Sequence, residues 1–199
     1  MQRTTDEKSV KLTKKVLRTL YRYATKCSEG DEYSCREYNA LVSRISPPFT
    51  LYRGVDCYGA RRNLMKGVIE VGLVRDQVTY FTLLPEYAEC YSGAEGIIYA
   101  VRVTSRNMHL FKSVKYSTSV KQVKPTSLSD EYQPYFLAKE LAFIAGEVPL
   151  DKRYVSILYP VLPSIPPKPA SKNVEEIVDE FKKKGFRVYP YYLGMLRVL

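Results

Sequence analysis

The sequence predicts an α+β fold in which two packed, mainly antiparallel small sheets follow a pair of N-terminal helices. Apolar residues recur with a helical period early in the chain, with Val10, Val16, Leu17, Leu20 and Tyr21 on one face. From Phe49 onward the texture changes to short runs rich in β-branched and aromatic residues, separated by turn formers. The chain has 199 residues, 45% of them hydrophobic, which is enough to build a continuous core without metal or disulfide staples.

In chain order, the pattern predicts one helix from Asp6 to Ala24 and a second from Asp31 to Ser43, parted at Gly30. Ile45-Ser-Pro-Pro-Phe then stops helical structure, because a residue before proline is driven to extended geometry and proline has no N–H to donate. Phe49 to Gly54 reads as a strand, as does Val78 to Thr82. Pro85 suits the first turn of a short helix through Tyr91. Gly96 to Thr104 is a strand whose later part alternates, Val101 and Val103 on one face and Arg102 on the other. Two more strands are expected at Glu140 to Ala145 and Tyr154 to Tyr159, joined through Gly146 and Pro149.

Ser164 to Ser171, with Pro166, Pro167 and Pro169, reads as an extended linker. A helix from Asn173 to Lys184 follows, with Asn173 as its cap and its acidic and basic residues in the order a helix dipole favours. A last strand, Phe186 to Tyr191, and the tail from Met195 are expected to return to the sheet. The organisation is thus a helical segment over 1–48, a β-rich core over 49–163, and a linker, helix and strand over 164–199 packing on that core as one domain.

The formal charge is +10, from 31 Lys and Arg against 21 Asp and Glu, so the surface attracts polyanions: nucleic acid, acidic protein or a phosphate-bearing cofactor. No apolar run approaches the ~20 residues of a membrane span, and the N-terminus has no signal-like apolar stretch, so a cytoplasmic protein is expected, in the host cytoplasm if its source is viral. Four cysteines and one histidine, His109, form no zinc-ligand spacing, and no metal is expected. Cys27 and Cys35 flank the turn at Gly30 and a bridge between them is conceivable, but buried free thiols are the expectation for a chain of this size.

Three elements stand in a suggestive order: Arg53 ending a strand (LYRG), Thr79 and Thr82 on a later strand (TYFT), and Glu140 opening a third (KELAFIAG). This set resembles the arginine, serine/threonine, glutamate arrangement of the ADP-ribosyltransferase family. The likeness extends to PEYAECYSG and IIYAVRV, which are similar to the helix and strand after the family's hydroxyl motif, and to Gly146, six residues beyond Glu140.

The resemblance implies NAD as substrate, with no metal, and a cleft between the two sheets. Breaking the nicotinamide–ribose bond develops positive charge on the sugar, as in glycoside hydrolysis, so a carboxylate beside it is the central requirement. Glu140 would be that carboxylate, accepting a hydrogen bond from the ribose 2′-hydroxyl. Arg53 would hold the pyrophosphate or ribose through its planar donors, and backbone amides near Gly54 would take the carboxamide. Thr79 or Thr82 would orient Glu140 or the ribose, and Phe81, Tyr87 or Tyr91 would offer an aromatic face to nicotinamide.

Ordinary roles stand beside each of these. Arg53 can be a solvated strand-end charge, Thr79 and Thr82 plain strand formers, and Glu140 a residue turned to solvent by the pleat. Glu147, between Gly146 and Pro149, belongs to a turn. Arginine-modifying transferases usually carry an acidic residue two positions before the catalytic glutamate; here Ala138 stands there, which disfavours arginine as acceptor. TYFT also departs from the family's common serine-threonine-serine run. The leading expectation is a mono-ADP-ribosyltransferase acting on a macromolecule, protein or nucleic acid. The alternatives are an NAD glycohydrolase toxin using the same residues, and a non-enzymatic nucleic-acid-binding protein working through Lys182, Lys183, Lys184, Arg187 and the N-terminal lysines. A related RNA 2′-phosphotransferase is disfavoured because His109 stands outside the strands.

Overall fold

The structure is a computed structural model that describes residues 9–71, 78–116, 118 and 141–196. It is an α+β fold. Two helices, α1 (Lys14–Ser28) and α2 (Glu32–Val42), come first, after a two-residue strand β1 (Val10–Lys11) that pairs in parallel with β2 (Ile45–Ser46). The first helix therefore begins later than the apolar period predicts. Val10 is spent on a strand, and Thr13, in extended geometry, caps the helix by accepting from the Val16 amide. Asp31 caps α2 in the same manner.

Cys27 and Cys35 form a disulfide, which corrects the expectation of free thiols. The turn at Gly30 folds the last turn of α1 against the first turns of α2, bringing the two Cα atoms to 4.7 Å, within ordinary bridging range. Cys57 and Cys90 are free, the former buried and the latter exposed.

The main sheet is a path of antiparallel strands with a narrow waist. On one side, β3 (Phe49–Asp56) pairs along its whole length with β6 (Gly96–Val103), and β6 pairs with β10 (Val155–Leu162). On the other side, β5 (Thr79–Thr82) pairs with β8 (Ala142–Ala145), and β8 with β7 (Phe111–Ser113). The two sets meet at a single residue pair, Tyr52 with Thr82. They behave as two small sheets sharing one core, where Phe49 of the first set packs on Phe143 of the second with ring centroids 5.6 Å apart.

Helix α3 (Cys57–Lys66) follows β3 directly and is absent from the sequence reading. Asp56 caps it through the Gly59 amide, and it ends at Gly67, whose φ of +71° suits a residue without a side chain. Beyond it, β4 (Val68–Ile69) pairs with β9 (Val148–Pro149). Helix α4 (Pro85–Ser92) starts at Pro85 as predicted. The 164–171 segment is not the extended linker expected: the chain turns back after β10, the Ser164 hydroxyl accepting the Lys168 amide, and β11 (Lys168–Pro169) pairs antiparallel with the end of β10.

Helix α5 (Lys172–Lys183) is capped by Ser171, not Asn173: the Ser171 hydroxyl accepts from the Val174 amide and donates to Glu95. Its Val174, Ile177, Val178 and Phe181 are buried in the core. Strand β12 (Arg187–Tyr192) runs parallel to β10 and closes that side, with Pro190 on it blunting further pairing. Of the tail, Met195 is exposed and Leu196 packs beside Ala88, Ile98 and Tyr191 without strand pairing; residues 197–199 lie outside the described residues. No described helix is long and apolar enough to cross a membrane.

Candidate functional site

The waist of the sheet is where chemistry-bearing residues gather. Beyond the Tyr52–Thr82 pair the strands β3 and β5 part, and Arg53 is the first residue of β3 past the junction. Its guanidinium reaches across the gap, Nη1 donating to the Tyr80 carbonyl oxygen at 3.0 Å. The side chain is mostly enclosed, so burial pulls its pKa below the usual arginine value, with Tyr99 and Tyr91 acting in the opposite direction. Its Nε is buried without a hydrogen-bond partner. A cation with an unspent donor, set where two sheets separate, is an anchor suited to an anionic or polyhydroxyl ligand.

Tyr99 is the register partner of Arg53 on β6 and is fully buried. Asn63 of α3 donates from Nδ2 to its hydroxyl oxygen at 3.3 Å, while burial pushes its phenol well above the ordinary range. Asn63 also accepts the Glu70 amide, so one side chain ties α3, β6 and the segment after β4 together behind Arg53. The strand register that makes Tyr99 face Arg53 is what sequence reasoning missed; the buried alternation Ile97, Tyr99, Val101, Val103 was its only signal.

Helix α4 forms the roof. Thr82 accepts the Leu84 amide at 2.9 Å, which turns the chain out of β5, and Pro85 starts the helix. The helix then lies directly on β3, because a Cβ at Gly54 would stand 1.9 Å from the Ala88 carbonyl oxygen and 2.7 Å from the Ser92 amide. Gly54 thus allows a close approach of helix to strand. Gly96 does the same beside it, where a Cβ would meet the Val55 carbonyl at 2.2 Å.

The predicted residues are distributed unequally over this geometry. Arg53 and Tyr91 come together: Tyr91 is 60% exposed on α4 and close enough to act on the guanidinium. Tyr87, one turn earlier, packs partly against the core. Phe81 is 2% exposed and meets Phe111 edge-on at 5.4 Å, so its ring serves the core and has no face open to nicotinamide. Thr79 is fully buried and donates to the Glu70 carbonyl at 2.9 Å, a structural tie between β5 and the segment after β4. Thr82 holds the turn into α4. Glu140 lies outside the described residues; the nearest described strand position, Ala142, pairs with Thr82 at the waist. Glu147 is exposed in the turn after β8, and His109 is exposed in a short helical turn over Met108–Leu110.

One carboxylate was not anticipated. Glu86, in the first turn of α4, is half-buried, and its Oε2 is enclosed without a partner. Burial raises its pKa, with the Glu89 charge adding to the effect. It faces Tyr52, whose phenol is pushed up by burial and then by the Glu86 charge. Among the described residues no group of three or more His, Cys, Asp or Glu is placed to hold a metal ion.

No protein-family model matches this sequence, and no curated protein sequence matches it. Among solved structures the chain is similar to DarT of Thermus sp. 2.9 in complex with NAD+, with a TM-score of 0.42 and 12% identity over 73% of this chain and 97% of that one. It is also similar to Thermus sp. 2.9 DarT in complex with carba-NAD+, with a TM-score of 0.39 and 14% identity over 71% of this chain and 94% of that one. At such values the likeness is one of coarse outline, and the chemistry of this chain rests on its own residues.

Proposed function

We propose that this chain is an NAD-consuming mono-ADP-ribosyltransferase that transfers ADP-ribose to a macromolecular acceptor, protein or nucleic acid. The observation that supports this most is the half-buried Arg53 guanidinium with its unpartnered Nε, standing where two antiparallel sheets diverge, in the motif order of the family it resembles. In this reading Arg53 binds the pyrophosphate or the adjoining ribose, and Tyr91 lies over nicotinamide. Glu140 supplies the carboxylate that steadies the cationic sugar.

The reaction balances simply. The bond between ribose C1′ and the nicotinamide nitrogen breaks, and the electron pair leaves with neutral nicotinamide. The sugar carbon becomes cationic, and an acceptor oxygen or nitrogen then bonds to it and loses a proton. With water in that place the product is free ADP-ribose, so transfer and hydrolysis differ only in the acceptor admitted.

The test is incubation of purified protein with adenylate-labelled NAD and, separately, protein, single-stranded DNA and RNA acceptors. Nicotinamide release with label on one acceptor supports transfer. Release with all label on free ADP-ribose supports the glycohydrolase alternative, and no release removes the enzymatic reading in favour of a binding protein.

A further inference from the structure

Helix α1 carries a feature that the NAD chemistry does not use. Its sequence, KKVLRTLYRYATKCS, contains five cations and no acidic residue. Lys14, Lys15, Arg18, Arg22 and Lys26 are all exposed, and at 100° per residue they fall within an arc of about 120°. Among the described residues none of the five belongs to an ion pair. Lys26, the last of them, contributes electrostatically to the lowered pKa of Asp31, while Arg22 stacks over the Tyr23 ring at 5.5 Å.

Like charges four residues apart destabilise a helix, so Lys14, Arg18, Arg22 and Lys26 oppose the fold that displays them. The contrast with α5 is direct. That helix has Glu175, Glu176, Asp179 and Glu180 among its lysines; Lys182 pairs with Asp179, Lys172 with Glu176, and Arg61 of α3 with Glu176 at 2.7 Å. Lys172 and Lys182 thus have acidic partners on their own helix, and none of the five α1 cations has an acidic residue on its helix.

From this we infer that α1 is a docking surface for the phosphodiester backbone of a nucleic acid. Cations one turn apart rise about 6 Å along the helix, and the stripe from Lys14 to Lys26 spans about 18 Å, a linear array suited to a linear polyanion. A lipid surface fits poorly. The apolar face of α1, Leu17, Leu20 and Ala24, is buried in the core, and no large apolar side chain of α1 is exposed for insertion. The helix is also held firmly: the disulfide joins it to α2, and Asn39 of α2 exchanges two hydrogen bonds with the backbone of Tyr116, whose hydroxyl accepts the Ala142 amide at the strand that flanks the waist.

This surface stands independently of the transferase reading, because it predicts binding whether or not NAD is cleaved. The experiment measures anisotropy of labelled 20-nucleotide DNA, RNA and duplex DNA with the full chain as a function of salt. Two variants each remove four charges: Lys14→Gln, Lys15→Gln, Arg18→Gln and Arg22→Gln on α1, against Lys172→Gln, Lys182→Gln, Lys183→Gln and Arg187→Gln on α5 and β12. The α1 variant should bind single strands about 10- to 100-fold more weakly at moderate salt, with the log–log salt slope reduced by about 3; the second variant should stay within about threefold of the parent. A charge-conserving variant, Lys14→Arg with Lys15→Arg, should bind as the parent does. Equal losses in both four-charge variants, an unaffected α1 variant, loss in the charge-conserving one, no oligonucleotide binding by the parent, or binding confined to phosphatidylserine vesicles would overturn the proposal.

Discussion

The guanidinium of Arg53 donates to the carbonyl oxygen of Tyr80 at 3.0 Å, across the gap that opens one residue beyond the Tyr52–Thr82 pair. The bond joins two sheets at their point of separation, and it leaves Nε enclosed without a partner. Replacing Arg53 by Ala should cost roughly 1.5–3 kcal/mol, the range for a hydrogen bond to a charged group. Arg53→Lys keeps the charge and loses the planar fork, so it should recover stability better than NAD affinity. Urea unfolding and NAD titration, done on both variants, separate the two effects.

Gly54 is set by the close passage of α4. In Gly54→Ala the new methyl would meet backbone atoms of Ala88 and Ser92, which have no flexible end to move away. The expected loss is about 1–3 kcal/mol or more, in denaturant midpoint at unchanged slope. Gly146→Ala, where a Cβ meets nothing within 4 Å, should change stability by no more than about 0.5 kcal/mol.

Glu86 predicts a pH effect. Burial raises its pKa in the folded chain above the ordinary carboxylate value, so the folded state holds this proton more tightly than the unfolded one. Stability from this group is therefore full below the unfolded pKa and is lost as pH rises through the folded one. Glu86→Gln should raise Tm at pH 7, and the gain should disappear under acid conditions where both states are protonated. A Tm difference independent of pH would contradict the assignment.

The bridge between Cys27 and Cys35 closes a short loop at the turn of the helical hairpin. Reduction, or Cys35→Ala, should lower unfolding free energy by roughly 2–3 kcal/mol, the amount expected for so small a loop. Comparing melts with and without a thiol reductant, and repeating them on the Ala variant, checks this.

Much of this arrangement was legible in the sequence because it rests on local signals. The strand FTLYRG, the run TYFT, the Pro85 helix and the alternation in GIIYAVRV each depend on residues close in the chain, and each is present where the pattern places it. Helix α3 was missed because it follows β3 without a loop and its capping residue, Asp56, is also the last residue of that strand. The parts of the site that escaped are those set by register. Nothing local says that Tyr99 stands opposite Arg53, that Thr79 turns to Glu70, or that Phe81 turns inward to Phe111. Strand alternation gives two faces and leaves open which face is core until the partners are known.

The catalytic role of Glu140 is tested by nicotinamide release from NAD by the parent chain and by Glu140→Gln under one condition. The parent should release nicotinamide, and the variant should lose at least about 100-fold with NAD binding largely retained, because the amide keeps the shape of the carboxylate and loses its charge. An equal rate in both proteins would contradict that role.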